Sequence, residues 1–200
     1  MQMIVDLIRH GEPVGGKKYR GQLDDPLSDK GWRQMRQAIE GHQPWDAIYS
    51  SDLSRCAEFA NEVATHLNLP LSLHAEFREI GFGEWEGKTA AQLQAEDEET
   101  LFRFWSDPLN NRPPGAEALL DFQSRIVSAW TEVISQNQYE HVLVVGHAGM
   151  MRMIISHVLR MPIDAMFRID VPNAGITRIR IDGEGEQQLP RLVFHAGNLA

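Results

Sequence analysis

Two histidines stand where the chain can make them reactive. The apolar run Met3-Ile4-Val5 leads into Leu7-Ile8-Arg9-His10-Gly11-Glu12, and far away Val142-Leu143-Val144-Val145 leads into Gly146-His147-Ala148-Gly149. A short apolar run before a turn residue reads as a buried strand. Each strand then delivers a histidine to its carboxyl end, the end at which open α/β sheets bind ligands. His10 and His147 are expected to face each other across one pocket, with Arg9 beside the first. His42, His66, His74, His141, His157 and His195 lack this setting and read as surface or hydrogen-bonded structural residues.

A second guanidinium comes from the clearest helix in the sequence. Leu53, Cys56, Ala57, Ala60, Val63, Ala64 and Leu67 recur at helical spacing, with Ser51 or Asp52 as the expected cap. Arg55 falls in the first turn, where orphan backbone N–H groups and a guanidinium together suit an anion. The bland alternative is a surface arginine paired with Glu58 or Glu62. Carboxylates come from the glycine- and aromatic-rich stretch Phe77 to Gly87, which reads as a loop presenting Glu79, Glu84 and Glu86 beside apolar rings. A carboxyl against aromatic surface is able to act as an acid near neutrality. Physical reasoning alone does not separate the three.

Other chemistries lack their residues. Gly15-Gly16-Lys17-Lys18 has neither the length nor the hydroxyl of a nucleotide-binding P-loop, and Gly146-His147-Ala148-Gly149 stands where a nucleophilic serine elbow would. No pair of histidines has metal-site spacing on one helix, and a single cysteine makes no zinc cluster, so neither metal nor cofactor is expected. Two histidines, two arginines and a carboxyl suit transfer of a phosphoryl group to an imidazole. Arg9 and Arg55 would grip the group's oxygens through paired N–H bonds. His10 would attack phosphorus, His147 would donate to the oxygens as charge builds, and Glu79 would protonate the departing alkoxide and later draw a proton from water.

These side chains need a scaffold. At 200 residues the chain fits one domain, residues 1–200, with a full hydrophobic core. Strands expected at 45–49, 69–73, 176–181 and 189–194 join the two histidine strands. Helices are expected over 29–41 and 53–67, as one or two over 90–105, from about 119, and over 148–159. Trp85, Phe104 and Trp105 read as core, and Asp6 as a satisfied buried carboxylate in the first strand. The order of elements gives an α/β three-layer α/β/α sandwich, mostly parallel with an antiparallel strand near the end. A formal net charge of −9 argues against a nucleic-acid partner and leaves any anionic substrate to local positive charge. No run of about 18 apolar residues suggests a membrane span. No secretory signal is visible, and the lone Cys56 suits a reducing cytoplasm. The loop from Glu12 to Asp29, with Gly15, Gly16, Gly21 and Pro26, is long enough to be a binding loop.

Arg9-His10-Gly11-Glu12 resembles the signature of the histidine phosphatase superfamily, which includes the cofactor-dependent phosphoglycerate mutases. Four more segments follow that family's order: Ser50-Ser51-Asp52-Leu53-Ser54-Arg55, Arg78-Glu79 through Trp85-Glu86-Gly87, Pro114-Gly115-Ala116-Glu117, and Gly146-His147-Ala148-Gly149. The resemblance implies a phosphoglycerate mutase-like fold and a phosphohistidine at His10. It also implies pocket roles for Arg9, Arg55 and His147, an acid/base at Glu79, and no metal. Tyr19-Arg20-Gly21-Gln22-Leu23-Asp24-Asp25-Pro26-Leu27-Ser28, followed by Gly31-Trp32, is similar to α-ribazole phosphatases. That similarity implies substrate contacts at Arg20, Gly21 and Ala148 and α-ribazole 5′-phosphate as substrate, in assembly of the cobalamin lower ligand. Broader sugar-phosphate or phosphoprotein phosphatases, mutase-like phosphotransfer and a phosphate-binding regulatory domain are the alternatives. The expected partner is a small phosphate monoester, and the expected assembly a monomer or homodimer.

Overall fold

The computed structural model describes residues 2–136, 138–197 and 199, the side chain of Glu186 excepted. Met1, Asn137, Asn198 and Ala200 lie outside the described residues. Among the described residues six strands form one sheet: β1 (Gln2–Arg9), β2 (Ala47–Ser51), β3 (Leu71–His74), β4 (His141–Gly146), β5 (Ile176–Asp182) and β6 (Leu189–Gly197). Their order is β3-β2-β4-β1-β5-β6. β1 pairs parallel with β4, and β2 parallel with both β4 and β3, while β5 runs antiparallel to its neighbours β1 and β6. One reversed strand in a parallel sheet is the architecture expected.

Helices cover both faces, and strand alternation splits the core between them. Val5, Leu7, Val142 and Val144 pack with α4 (Leu119–Ser135) and α5 (Ala148–Val158) through Phe122, Ile126, Trp130, Met151 and Ile154. Ile8, Leu143 and Val145 point the other way, toward α1 (Asp29–Ala38) and α2 (Ser54–Leu67), where Met35, Phe59, Ala60 and Val63 are buried. Asp6, on the same face as Ile8, is fully buried. Burial by itself would raise its pKa, but bonds from His141, Arg178 and Trp45 outweigh that and hold the carboxyl below its usual range. Among the described residues no helix is long and apolar enough to cross a membrane.

Several boundaries differ from the sequence expectation. α1 stops at Ala38 rather than Gly41, because its last turn tightens: the N–H groups of Ile39 and Glu40 both turn back to the Gln37 carbonyl. The third strand spans Leu71–His74, two residues later than its leucines suggested. α3 (Ala90–Ser106) breaks at Asp97, whose φ of −161° is extended and whose carboxylate accepts from the N–H and hydroxyl of Thr100. It is two helices, the second capped by Asp97 from inside the acidic run Glu96-Asp97-Glu98-Glu99. Trp85 and Phe104 are buried as expected, but Trp105 is 47% exposed. It stands at the rim of an aromatic group in which its indole N–H donates to the Tyr19 hydroxyl and its ring meets Phe104 and Phe167.

Candidate active site

Three neighbouring strands end together. Arg9 of β1 pairs with Gly146 of β4, and Ser50 of β2 with Val145, so Ser51, His10 and His147 emerge side by side at the carboxyl edge. The two imidazole rings sit edge to face, 5.2 Å between centroids, both buried. The structure brings the His10 and His147 rings together, as expected.

Each ring is oriented by a bond. His10 Nδ1 lies 2.7 Å from the Gly11 carbonyl oxygen. A carbonyl only accepts, so Nδ1 carries the proton and Nε2 of the neutral ring keeps its lone pair. The His10 carbonyl in turn accepts from Asn173 Nδ2 at 3.2 Å, which fixes the backbone behind the ring. His147 Nε2 is 2.8 Å from Ser51 Oγ, with Cys56 Sγ packed 3.6 Å from the same nitrogen. Burial, then the neighbouring Arg9 and Arg55 guanidiniums, hold His10 well below the ordinary imidazole value. Burial, then Arg55 and His10, do the same for His147. Burial also pushes the Cys56 thiol up to about 12, so it packs as an unreactive hydrophobe.

The arginines are positioned by loops. Arg55, 1% exposed, donates from Nη1 to the Leu23 carbonyl at 2.7 Å and from Nη2 to the Gly21 carbonyl at 2.8 Å. The pairing with Glu58 or Glu62 does not form; Glu62 is held by Arg36 instead. Arg9 Nη1 donates to the Val171 carbonyl at 2.5 Å. The Nε–H groups of Arg9 and Arg55 are buried without a protein acceptor. Buried donors of a cation left without acceptors are expensive in free energy, and suit a site for an anion.

The Glu79 carboxylate reaches the same edge. Its Oε2 accepts from Gly149 N at 3.0 Å, in the first turn of α5, and its Oε1 from Ile80 N at 3.0 Å. A Cβ at position 149 would stand 2.3 Å from Glu79 Oε1, so only glycine admits the carboxylate there. Glu86 is used differently: its Oε1 accepts from Gln22 N and Phe82 N, stitching two loops together. Glu84 is exposed. Of the three carboxyls, only Glu79 is bonded to the first turn of the helix that follows His147.

Arg20, Gly21 and Ala148, expected to touch substrate, are all buried. Arg20, 9% exposed, donates to Asp25 and to the carbonyls of Val14 and Gly16, which organises the 12–28 loop. Gly21 offers its carbonyl to Arg55 at a φ of +53°, a conformation glycine adopts without penalty. Ala148 is buried at the start of α5, next to His147. Sequence reasoning missed Ser51, Asn173, and the role of Asp24, whose Oδ1 accepts from Ser54 N at 2.7 Å and from Ser54 Oγ at 2.8 Å. Leu53, the residue before α2, makes no side-chain cap, so the cap expected from Ser51 or Asp52 comes from the distant loop. The end of the second strand at Ser51 could be read from the sequence, but its bond to His147 could not.

Comparison with known proteins gives a consistent answer. A Hydrogenobacter thermophilus protein named "Putative phosphoserine phosphatase 2" is 28% identical over 182 residues, covering 89% of each chain. The adenosylcobalamin/alpha-ribazole phosphatase of Escherichia coli strain K12 is 29% identical over 171 residues, covering 82% of this chain and 84% of that protein. The crystal structure of the alpha-ribazole phosphatase from Shigella flexneri superposes with a TM-score of 0.83 at 25% identity, covering 98% of this chain and 96% of that one. The family model described as histidine phosphatase superfamily (branch 1) matches residues 5–192. The match spans nearly the whole chain, and this protein belongs to the histidine phosphatase superfamily.

Proposed function

We propose that this chain is a metal-independent phosphomonoesterase that passes the phosphoryl group through His10, with α-ribazole 5′-phosphate as its substrate. One observation carries the chemistry: an imidazole whose Nδ1 is committed to the Gly11 carbonyl, so that Nε2 is the nucleophile, set beside the half-buried guanidinium of Arg9 and the buried one of Arg55. In the first step Nε2 forms a bond to phosphorus as the ester P–O bond breaks, and a protonated Glu79 gives its proton to the leaving oxygen. In the second, water attacks phosphorus, Glu79 takes a proton from it, and the N–P bond breaks to release phosphate. Arg9 and Arg55 neutralise the equatorial oxygens throughout, and His147 donates a ring N–H to them. Ser51 keeps the His147 ring in place, and Arg20, Gly21 and Ala148 form the substrate's wall.

The substrate reading is supported by the relatives named for α-ribazole phosphatase activity and by the rings of Tyr19 and the half-exposed Trp105, which offer apolar surface to a benzimidazole. The relative named for phosphoserine supports a second reading, a phosphatase of small alkyl phosphates. A small phosphate monoester is the proposed partner. A reducing cytoplasmic setting fits the unpaired, buried Cys56.

The test is a panel of α-ribazole 5′-phosphate, phosphoserine, 3-phosphoglycerate and a fructose bisphosphate, assayed with a chelator present. The expected result is the highest kcat/KM for α-ribazole 5′-phosphate. A preference of about 100-fold, or 2.7 kcal/mol in transition-state binding, for another member would overturn the substrate. Loss of activity on chelation would overturn the metal-free mechanism. Release from none of them would overturn the enzyme reading.

A further inference from the structure

We propose that Arg125 and Glu117 form a clamp that sets the position of the Glu79 carboxyl and thereby controls protonation of the leaving group; this rests on the phosphatase reading above. The residues around Glu79 have little regular structure of their own. One 3-10 turn ends at Phe77 and the next begins at Gly83, which leaves residues 78–82 without a helix or strand ladder. Something else must hold them.

Arg125 projects from α4 and uses all five of its N–H donors. Nε donates to Glu117 Oε1 at 2.6 Å and one Nη2 hydrogen to Glu117 Oε2 at 2.8 Å. The other three reach backbone carbonyls on the Glu79 segment: Nη1 to Glu76 at 2.5 Å and Arg78 at 2.7 Å, and Nη2 to Glu79 itself at 3.0 Å. Glu117 completes the grip from the far side, its Oε2 accepting from Gly81 N at 3.1 Å. One bidentate ion pair thus fixes backbone groups at 76, 78, 79 and 81, on both sides of the proposed acid.

The pair differs from an ordinary surface salt bridge. Its side chains are only 20% and 18% exposed, and the guanidinium lies over the Phe122 ring at 4.7 Å. Phe122 is fully buried in the core beneath α4, so the clamp is anchored to the hydrophobic core. With the main chain held there, the amides of Ile80 and Gly149 fix the two carboxylate oxygens. A proton donor must lie within hydrogen-bond reach of the leaving oxygen, and a misplacement of about 1 Å costs on the order of 10²-fold. Neither residue bonds to the side chain of His10, His147, Arg9 or Arg55, so both are positioning residues.

The test compares kcat/KM for a substrate that needs protonation, an alkyl phosphate, with one that does not, 2,4-dinitrophenyl phosphate. Arg125→Gln is expected to lose on the order of 10²-fold on the alkyl ester and little on the dinitrophenyl ester. Glu79→Gln should show the same selective loss. Arg125→Lys keeps the charge but lacks the planar fork, so it is not expected to rescue. Equal losses on both substrates, or full rescue by lysine, would overturn the clamp. If Arg125→Gln does not fold, Glu117→Gln decides by the same comparison, with a smaller selective loss expected and an equal loss on both esters counting against. A Glu79→Gln enzyme with no leaving-group selectivity would overturn the acid role and the clamp with it. A selective Glu79→Gln beside unselective clamp variants would overturn the clamp alone.

Discussion

Burial and nearby guanidiniums make the imidazolium of His10 expensive and favour its neutral form, and the same holds for His147. For His10 this is what a nucleophile needs, since a protonated Nε2 has no lone pair to offer. It also has a consequence for stability. Both folded values lie well below 6.5, so below that pH the unfolded chain binds protons that the folded chain refuses. Stability from these groups is intact above 6.5 and is lost as pH falls from there toward the folded values. Urea unfolding is expected to give a lower free energy at pH 5.5 than at pH 7, with ring NMR signals of both histidines unchanged over that range. Signals that titrate with a midpoint near 6.5 would contradict this. The residue types were legible because a histidine at a buried strand's exit has few other reasons to be there. Ser51 was not, since a serine at a strand end has many uses and only the fold shows that its Oγ meets His147.

At the scale of elements, the start of α2 and the loop before α1 form one unit. Asp24 caps Ser54 from thirty residues away, and one residue further on Arg55 holds the loop by the carbonyls of Gly21 and Leu23. Removing the cap should therefore loosen both. Asp24→Ala is expected to destabilise by about 1 kcal/mol, which for a chain of this size lowers Tm by about 2–4 °C. It should also raise KM, as Arg55 loses its alignment, while Asp24→Asn keeps most of both. Denaturant unfolding and steady-state kinetics check this, and an asparagine variant as impaired as the alanine one would contradict the capping role. Sequence reading looks for caps among adjacent residues, so it placed this one at Ser51 or Asp52; a cap supplied through space leaves no local pattern. The Asp97 break in α3 left a trace, because the acidic run Glu96-Asp97-Glu98-Glu99 contains an aspartate, which favours caps over helix interiors.

Across the whole molecule, the sheet order explains why residues from 9 to 149 meet. β1, β4 and β2 are neighbours and parallel, so their carboxyl ends, and the polar residues that follow them, converge on one edge. That convergence followed from strand ends alone, and the two-faced core from apolar periodicity. The loop that delivers Glu79 and the Arg125–Glu117 pair that holds it did not, because side-chain bonds to distant backbone carbonyls carry no periodic signal. The phosphohistidine proposed at His10 is open to direct capture. Mix the enzyme with a phosphate-labelled substrate, stop the turnover in alkali within its first cycle, and map the labelled peptide by mass spectrometry. A phosphoryl group that survives base, is lost in acid and sits on Nε2 of His10 is the expected result; label on another side chain, or product formed with no labelled enzyme at any time, would contradict it.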